Sequence, residues 1–524
     1  MKKRWHMLTA AALTAALLIP AASGAAQAPW EQDAPDLALY EVRTYTGSGE
    51  AGYAEGDRED AAFRMPGSLA LMPEGGLLVS DTGNQRLRVV REAQTRLLAG
   101  AHYAIGDSGQ LAGAFADGTG AEAFFSTPTG IALRDDGTVL VADADNHAIR
   151  AVAPDGTVRT VAGDGLIGNE DGKTAEARFY YPTDVAIAPD GAIYVADTLN
   201  HTIRRISDGR VTTIGQHSDR VTQLVPGYAE PIGDYADGPL EQALFNEPSG
   251  LALDSKGNLY VSDTGNQRIR YIDFAAGTVS TVAGTAGAYE ALSPYAEGGY
   301  ADGPAAQARF QAPRGIVALE DGALLIADSG NHAIRLLSEG EVRTIAGTPG
   351  DAGSADGVAS AAGFDRPVDV ALGPDGVIYV ADLGNNRIRT IAPYAYPAAL
   401  QREDEVQLLY GADRLETDTA PVIAKGTTFV PVRVIAERLG YTVEYRDGEA
   451  VVTKGGRTYT LRQGSTRVAI VDASGIAAQA ELLAAPVMRN NRMLLPVRFF
   501  AEEAGLDVQW LPDVRAVLLR DSLF

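Results

Sequence analysis

The stretch "ADSGNHAIR" at residues 327–335 brings an Asp, an Asn, a His and an Arg together in nine positions, a combination that is common in active sites. The chain repeats it five more times, as "SDTGNQRLR", "ADADNHAIR", "ADTLNHTIR", "SDTGNQRIR" and "ADLGNNRIR". Because an active site rarely needs six copies, we interpret the stretch as a turn. The Asp carboxylate accepts backbone N–H bonds across such a bend, and Asn tolerates a left-handed backbone.

The residues around each copy predict short β-strands. A Phe-x-x-Pro phrase and a β-rich run precede it, as in "FSTPTGIAL" at 125–133, and a further run such as "GTVRTVAG" at 156–163 follows most copies. Four short runs per unit, repeated six times, predict a six-bladed β-propeller. The segment "YEVRTYTGSG" at 40–49 matches an isolated fourth strand, and the last unit ends at 393 without one. We therefore expect the N-terminal segment to close the ring, which leaves no free sheet edge.

The unit "F-x-x-P-x-G-I-A-L … V-A-D-x-x-N-x-x-I-R" resembles the NHL repeat, and the resemblance covers residues 38–393. It implies a mainly β fold, an NHL-type propeller. It implies little about function, since NHL propellers serve as ligand platforms, RNA binders, lyases and surface proteins.

An Asp and an Arg stand seven positions apart in every copy, which favours a structural turn and salt-bridge pair in each blade. The pairs are Asp81/Arg88, Asp143/Arg150, Asp197/Arg204, Asp263/Arg270, Asp328/Arg335 and Asp382/Arg389.

Three histidines share one repeat position, which raises the question of a three-His metal ring. They are His147, His201 and His332, and the same position holds Gln85, Gln267 and Asn386 in the other copies. A polar turn residue explains this mixture better than a metal ligand does, so we expect no metal there.

The loops that enter the blades supply the candidate ligand face. An acidic residue precedes a Gly once per unit, at Glu55, Asp117, Asp171, Asp237, Asp302 and Asp356. These residues fit a turn, or alternatively an acidic funnel for a cation or a basic ligand. The entry loops at 101–115, 216–235 and 285–300 are long and carry Tyr103, Tyr228, Tyr235, Tyr289, Tyr295 and Tyr300. Long loops on a rigid scaffold commonly bind ligands, and these tyrosines could stack on sugars or peptides.

A second domain follows a linker at 394–404. Within 405–524, "PVIAKGTTFVPVRVIAERLGYTVEY" (421–445) realigns with "PVMRNNRMLLPVRFFAEEAGLDVQW" (486–510), and each copy predicts a strand, a helix and a strand. Gly440 and Gly505 end the helices, and Arg433/Glu437 and Arg498/Glu502 are helix pairs. The segment resembles the copper amine oxidase N-terminal-like domain, a small α+β module of exported proteins. Copper is not expected, because the last His of the chain is His332 and Met488 and Met493 stand alone.

The first 28 residues predict a secretory signal peptide, with a basic start, an apolar run too short to span a bilayer and small residues before the cleavage zone. No other segment predicts a membrane span. The chain has no Cys and a formal net charge of −24. We therefore expect a secreted protein without disulfides and without a nucleic-acid partner.

Together these features predict a non-enzymatic exported binding protein, with a protein, peptide or glycan ligand on the propeller loops. The C-terminal domain would act as a spacer or attach to the cell envelope. The alternative is a metal-dependent hydrolase or lyase, lactonase-like, with a divalent cation in the axial channel. Such an enzyme needs polar residues that break the repeat on the first strands, and the sequence shows none clearly. We expect no cofactor, and calcium is the one ion left open.

Overall fold

The computed structural model describes residues 40–106, 109–225, 228–289, 293–358, 362–394, 405–411, 413–499, 506–511 and 514–521. The predicted signal peptide and the predicted linker, apart from Tyr394, lie outside the described residues. The mainly β architecture that the sequence predicts is confirmed.

Six antiparallel sheets form the blades of a closed ring. The first strand of each sheet contacts the first strand of the next, and the sixth contacts the first. In chain order the first strands are Pro66–Leu71, Pro128–Leu133, Pro182–Ile187, Pro248–Leu253, Pro313–Ala318 and Pro367–Leu372. The second strands are Leu77–Asp81, Val139–Asp143, Ile193–Asp197, Leu259–Asp263, Leu324–Asp328 and Ile378–Asp382. The third strands are Arg86–Arg91, Ala148–Val152, Thr202–Ser207, Arg268–Asp273, Ala333–Ser338 and Arg387–Pro393. The fourth strands of the first five blades are Gln94–Ala99, Thr157–Ala162, Arg210–Ile214, Thr278–Ala283 and Glu341–Gly347.

A fifth strand of two residues, which the sequence did not predict, borders each blade on its outer side. These strands are Gly56–Asp57, Gly118–Thr119, Gly172–Lys173, Gly238–Pro239, Gly303–Pro304 and Gly357–Val358. They begin at the Gly of the acidic-Gly motif, so this motif makes an edge strand as well as a turn. Two further hairpins, Ala104–Ile105 with Leu111–Ala112 and Val221–Val225 with Tyr228–Pro231, rise from entry loops.

The N-terminal strand Tyr40–Thr46 supplies the fourth strand of blade six, as predicted. It pairs antiparallel with Arg387–Pro393, so that Val42 lies opposite Ile391 and Arg43 opposite Thr390. Closure therefore joins the two ends of the propeller in one sheet.

Apolar side chains fill the six seams between neighbouring blades. The second strands are buried on both faces, as in Leu324–Asp328, because a sheet lies on either side of them. The seam between blades six and one has a core like the others, with Val368 and Ile388 packed near Phe63. The burial of six such seams is what stabilises a ring that has no disulfide.

Among its described residues, the C-terminal domain has the helix Val432–Arg438, a helical segment at 497–499 and three sheets. The first sheet, in spatial order, contains Asp413–Arg414, Gln407–Tyr410, Ala516–Asp521 and Leu506–Leu511. The second contains Val422–Ala424, Thr427–Pro431, Arg492–Pro496 and Val487–Arg489. The third is a meander of Thr442–Arg446, Glu449–Lys454, Arg457–Arg462, Arg467–Val471 and Ala477–Glu481.

The strand and helix predicted for the first tandem copy are present, and Gly440 follows the helix with a φ of 77°. Arg433 pairs with Glu437 across one helical turn at 3.5 Å. The corresponding residues Glu502 and Gly505 of the second copy lie outside the described residues.

The C-terminal domain packs on the outer edge of blade six. Val358 from the fifth strand of that blade joins Leu409 and Leu511 in a small buried cluster, and its N–H donates to Gln509 Oε1 at 2.9 Å. Arg520 forms an ion pair with Glu41 of the closing strand, and both side chains are nearly buried. The domain thus contacts the strand that closes the ring. None of the described helices is long and apolar enough to cross a membrane.

Candidate functional site

The repeated nine-residue turn is a buried network inside each blade. In blade five, Asp328 Oδ1 accepts the N–H of Gln311 at 2.8 Å. Its Oδ2 accepts Asn331 Nδ2–H at 2.8 Å and Arg335 Nη1–H at 2.5 Å. The Asp and Arg side chains are wholly buried in all six blades. The residues that look catalytic in the sequence therefore hold the turn against the entry loop.

Burial raises the pKa of these aspartates although each faces an arginine. The pKa of Asp81, Asp143, Asp197, Asp328 and Asp382 rises to about 6, and that of Asp263 is also raised. Each of the six carboxylates lies 2.5–2.9 Å from the Nη1 of its arginine, and this contact favours the ionised carboxylate against the effect of burial. No exposed acid or base remains in this set to do chemistry.

The arginine of the network also reaches the predicted acidic ring in five blades. In blades two to six, Nη2 of Arg150, Arg204, Arg270, Arg335 and Arg389 contacts the carboxylates of Asp117, Asp171, Asp237, Asp302 and Asp356 at 2.6–2.7 Å. Each of these acids precedes the outer edge strand of its blade, so the ring of acids lies at the periphery and away from the axis.

Blade one departs from this pattern at Arg88. Its Nη1 donates to Asp81 at 2.9 Å, but its Nη2 donates to the Ala54 carbonyl at 2.6 Å, and no ion pair joins it to Glu55 among the described residues. Glu55 is exposed, and Leu97 lies opposite Arg88, where the other five blades have a Thr. In blade one no Thr hydroxyl is present to orient the carboxylate of Glu55, and this carboxylate does not reach the Arg88 guanidinium. The equivalence of the six units that the repeat predicts is therefore wrong at Arg88.

The side chain at the histidine position forms a hydrogen bond to a neighbouring blade. We call this hydrogen bond the inter-blade staple. The side chain accepts the backbone N–H of the residue before the Pro of the next blade, and both residues have positive φ. The acceptors are Gln85, His147, His201, Gln267, His332 and Asn386, and the donors, in the same order, are Thr127, Tyr181, Glu247, Ala312, Arg366 and Met65, at 2.6–3.2 Å.

Each histidine therefore lies in a different seam with Nδ1 occupied by a backbone donor. Burial lowers the pKa of His201 to about 4, and nearby His217 and Arg220 act in the same direction. Burial also lowers the pKa of His147. A neutral imidazole with a free Nδ1 lone pair is what the staple requires.

Several loop tyrosines contact the scaffold. The hydroxyls of Tyr235 and Tyr300 donate to Asp237 and Asp302, at 2.9 and 3.0 Å. Tyr289 donates to Asn266, and the Arg220 guanidinium lies 3.6 Å from the centre of its ring.

Two of the tyrosines are more open, and one is not described. Tyr295 donates to Glu247 at 3.0 Å and is 44% exposed, while Tyr103 is 71% exposed. The side chain of Tyr228 lies outside the described residues. The predicted contact surface on these loops stays a prediction.

The residues that break the repeat lie at the axis. A cavity of about 220 Å³ opens where the first strands converge; we call it the axial funnel. Asp184 and Asp369 line it, at a position where the other four first strands have Gly or Ser, namely Ser68, Gly130, Gly250 and Gly315. The expectation that no polar residue breaks the repeat on these strands was therefore wrong. Aligning "PTDVAI" and "PVDVAL" with "PTGIAL" would have revealed both residues.

The two axial carboxylates accept backbone N–H groups from two blades each. Asp184 accepts from Val185 and, across the seam, from Leu251, both at 2.8 Å. Asp369 accepts from Val370 at 2.9 Å and, across the seam, from the N–H of Leu69 at 2.8 Å. The Ser68 hydroxyl also donates to Asp369, at 2.8 Å. Each Asp therefore ties two first strands together.

Burial raises the pKa of both carboxyls, to about 6 for Asp369 and well above the ordinary range for Asp184. The charge of Asp369 acts in the same direction on Asp184, because like charges disfavour ionisation. Within the described part of the chain, no salt bridge reaches either carboxylate. This contrasts with the buried aspartates of the turns, each of which has an arginine.

The sequence indicates that the ring contains two related halves. Blades one and four share "TGNQR", blades two and five share "NHAIR", and blades three and six carry the axial aspartates. Asp184 and Asp369 are therefore equivalent residues of the two halves, and both line the funnel. Arg314 stands at the position of Thr129 in the other half, so the funnel wall is not symmetric.

Comparison with known families agrees with this architecture. The model for the NHL repeat matches residues 63–90, 125–151, 179–206, 245–270 and 364–391. The model for the copper amine oxidase N-terminal domain matches residues 411–519. The chain carries NHL repeats followed by a copper amine oxidase N-terminal domain. Blade five, which the NHL model does not match, is a complete blade in the structure.

The curated relatives are longer proteins. The chloroplastic protein SUPPRESSOR OF QUENCHING 1 of Arabidopsis thaliana is 30% identical over 304 residues, which are 56% of this chain and 27% of that protein. NHL repeat-containing protein 2 of Bos taurus is 28% identical over 338 residues, 60% of this chain and 44% of that protein. The chain thus spans less than half the length of either relative.

Solved structures match about two thirds of the chain. A protein of unknown function from Bacteroides thetaiotaomicron is 20% identical, with a TM-score of 0.49, over 68% of this chain and 76% of that one. An auxiliary nutrient binding protein from the same organism is 16% identical, with a TM-score of 0.49, over 68% and 78%.

The family name of the C-terminal domain implies copper, but its residues do not fit this metal. Residues 405–524 contain neither His nor Cys. Copper sites are built from imidazole and from thiolate or thioether sulfur. Among the described residues, Met493 is buried in the core of the domain and Met488 lies on an exposed strand. We therefore assign no copper chemistry to this domain.

Proposed function

We propose that this protein is a non-enzymatic binding protein that takes a small polar ligand in the axial funnel. The observation that supports the proposal is the division of polar residues in the propeller. The repeated Asp, Asn and Arg side chains are occupied inside the blades, whereas the repeat-breaking ones converge in a cavity. A concave site with a few convergent polar groups is the usual form of a small-molecule site. The entry loops extend the same end of the ring toward a larger protein, peptide or glycan partner.

A plug in the funnel tests this proposal. Thr129 lines the cavity, so Thr129→Trp fills it, while Thr138→Trp adds the same bulk in the turn at the opposite end of the first strand. Both proteins are screened on peptide and glycan arrays, and the hits are measured by calorimetry. We expect Thr129→Trp to lose the ligands that the wild type and Thr138→Trp retain. Ligands that bind all three proteins equally would contradict a site in the funnel.

We further propose that the protein is secreted and that its C-terminal domain attaches it to the cell envelope. The described residues of this domain contact the outer edge of blade six, so attachment through it would leave the funnel at the axis accessible to a ligand. The test compares cell-wall fractions of the producing cells with and without residues 405–524. Retention that depends on these residues is expected, and release of the intact protein from washed cells would oppose it.

A metal-dependent hydrolase or lyase is the second candidate, and the carboxylate pair in the funnel is the observation that favours it. It requires a divalent cation held by Asp184 and Asp369. Metal analysis of the purified protein distinguishes the two functions. One tightly bound calcium or zinc ion, lost in Asp184→Asn, would favour the enzyme, and a metal-free protein would exclude it.

A further inference from the structure

Resting on the proposed function, we infer that the axial funnel binds a small hydroxylated amine, with its ammonium group between Asp184 and Asp369. Three properties of the funnel select this class of ligand: its charge, its hydrogen-bonding groups and its size.

The charge of the funnel is the first reason. The six buried aspartates of the turns each contact an arginine, whereas Asp184 and Asp369 contact only neutral donors among the described residues. Two enclosed carboxylates without a cation disfavour each other's ionised form, and a cation from outside relieves this repulsion. Arg314 also lines the cavity, and its charge acts on Tyr181 of the same lining and on Glu247 and Tyr295 outside it. It is not among the groups that shift the pKa of the two axial carboxyls.

The number of acidic ligands is the second reason, and it favours ammonium over a metal ion. Calcium takes six to eight oxygen ligands. The described residues contain no group of three His, Cys, Asp or Glu side chains that could hold a metal ion. An ammonium group has three N–H donors and no acceptor, which suits a cavity lined by two carboxylates and by several hydroxyl oxygens.

The wall of the funnel is the third reason, because it carries hydroxyl groups. Thr129, Thr183 and Ser249 line the cavity together with Tyr181. A cavity of about 220 Å³ has room for a molecule of monosaccharide size. The Thr129 and Thr183 hydroxyls donate to backbone carbonyls of the scaffold. Their oxygens can still accept hydrogen bonds from hydroxyls of the ligand, so a hydroxylated amine fits better than an aliphatic one.

The experiment uses D-glucosamine as the probe and D-glucose as its neutral analogue, titrated into the full-length protein at pH 7. Glucosamine is expected to bind at least tenfold more tightly than glucose. Asp184→Asn and Asp369→Asn should each weaken glucosamine binding at least tenfold. Asp135→Asn, an exposed residue at the opposite end of blade two, removes the same charge and should change nothing.

Protonation supplies a second readout. Binding of an ammonium group favours ionised carboxylates, so calorimetry in buffers of different ionisation enthalpy should detect proton release. Glucosamine affinity should fall between pH 7 and pH 5. Tyr181 and Arg314, the other ionisable residues of the lining, do not titrate in this range.

A second variant covers the case in which the Asn variants fail to fold. Thr129→Lys places an ammonium group in the funnel and leaves both carboxylates intact. It should abolish glucosamine binding, whereas Thr129→Gln should retain it. Melting temperatures of all variants show whether the propeller is folded.

The remaining outcomes separate this inference from the proposed function. If glucose and glucosamine bound equally and Thr129→Trp abolished both, the funnel would still be the binding site. The proposal that its ligand is an amine would then be wrong. A bound divalent ion that blocks glucosamine would overturn it in favour of a metal. Absence of binding by glucosamine, ethanolamine and methylammonium would also overturn it. Ligands that bind Thr129→Trp as tightly as the wild type would contradict the proposed function itself.

Discussion

One turn residue in each blade accepts a hydrogen bond from the backbone of a neighbouring blade. His201 and Gln267 do this with different chemistry, since one offers Nδ1 and the other Oε1 to a backbone N–H. The position requires a side chain with a hydrogen-bond acceptor that reaches the backbone N–H of the neighbouring blade. This explains why His, Gln and Asn all occur there, and why the three histidines are not gathered around one ion.

The staple at His201 predicts a pH-dependent stability. Burial lowers its pKa to about 4 from the ordinary value near 6.5. Between these values the unfolded chain binds the proton and the folded protein does not, so stability falls as the pH drops from 6.5 to 4. The loss is about 3 kcal/mol. His201→Gln keeps the acceptor and removes the titration, so its denaturant-unfolding free energy should lack this part of the decline.

The buried aspartates do not disturb this comparison, because their raised pKa values are present in both proteins and cancel in the difference. His102→Gln serves as the control, since His102 is not one of the staple acceptors and, unlike His217, does not act on the pKa of His201. If wild type and His201→Gln lost stability in parallel between pH 6.5 and 4, the staple would not use a neutral imidazole.

The buried arginine of the turn predicts a large effect of a single substitution. Arg204→Met leaves Asp197 buried without its cation and removes donors to the carbonyls of Arg178 and Glu170. We expect a loss of about 3–5 kcal/mol in unfolding free energy. Asp197→Asn/Arg204→Met should be less unstable than Arg204→Met alone. Urea titration measures both.

Arg205→Met is the matched control. Arg205 follows Arg204 in the same strand, is partly exposed and pairs loosely with Asp190 at 3.5 Å. Its loss should cost less than about 1 kcal/mol. If Arg204→Met and Arg205→Met lowered the free energy of unfolding by similar amounts, the role assigned to the buried network would be refuted.

At the scale of the element, the N-terminal strand Tyr40–Thr46 makes in blade six the contacts that the fourth strand makes in another blade. The Thr44 hydroxyl donates to Asp356 at 3.2 Å, as the Thr344 hydroxyl donates to Asp302 in blade five. Gly47 has a φ of 109°, and a Cβ there would lie 2.9 Å from the Asn386 carbonyl oxygen. The close approach of this strand end to the turn of its own blade therefore requires glycine, as it does at Gly347.

The closing pair predicts a stabilising disulfide. Arg43 lies opposite Thr390 in the two paired strands, and the chain has no Cys of its own. Arg43→Cys/Thr390→Cys should form a bond that closes a loop of more than 300 residues. The oxidised protein should be more stable than the reduced one by about 3–5 kcal/mol. Thermal unfolding with and without reductant measures the difference.

Thr390→Cys alone is the control and should respond to reductant only through intermolecular bonds. Failure of the double variant to form an intramolecular disulfide would show that the N-terminal strand is not paired with blade six in solution.

At the scale of the whole molecule, the C-terminal domain and the ring closure are coupled. Glu41 belongs to the closing strand and Arg520 to the last strand of the C-terminal domain, and the two form a nearly buried ion pair. Glu41→Gln and Arg520→Met should therefore interact in a double-mutant cycle of unfolding free energy, by about 1–3 kcal/mol. A coupling near zero would mean that the domains unfold independently of this contact.

The sequence predicted the repeated parts of the molecule well and the unique parts poorly. The Asp/Arg pairs stand in six copies, so their role could be inferred from recurrence alone, whereas the missing contact between Arg88 and Glu55 depends on residues particular to blade one. An Asp stands at the axial position in only two of the six copies, as Asp184 and Asp369, within runs that otherwise have the pattern of an ordinary first strand. The outer two-residue strands were missed because a Gly and one neighbour carry no β-periodicity, and only the adjacent fourth strand gives them a partner.

The order of the residues by itself determined the number of blades, the antiparallel strand order within each blade and the closure by the N-terminal strand. These follow from local patterns repeated along the chain, and each repeat can bury its apolar faces only against its neighbours. Tertiary structure alone decided which polar groups are satisfied and which converge. Asp184 and Asp369 are far apart in the chain and meet only because a closed ring brings its first strands to one axis, where their charges lack the arginine that each turn supplies.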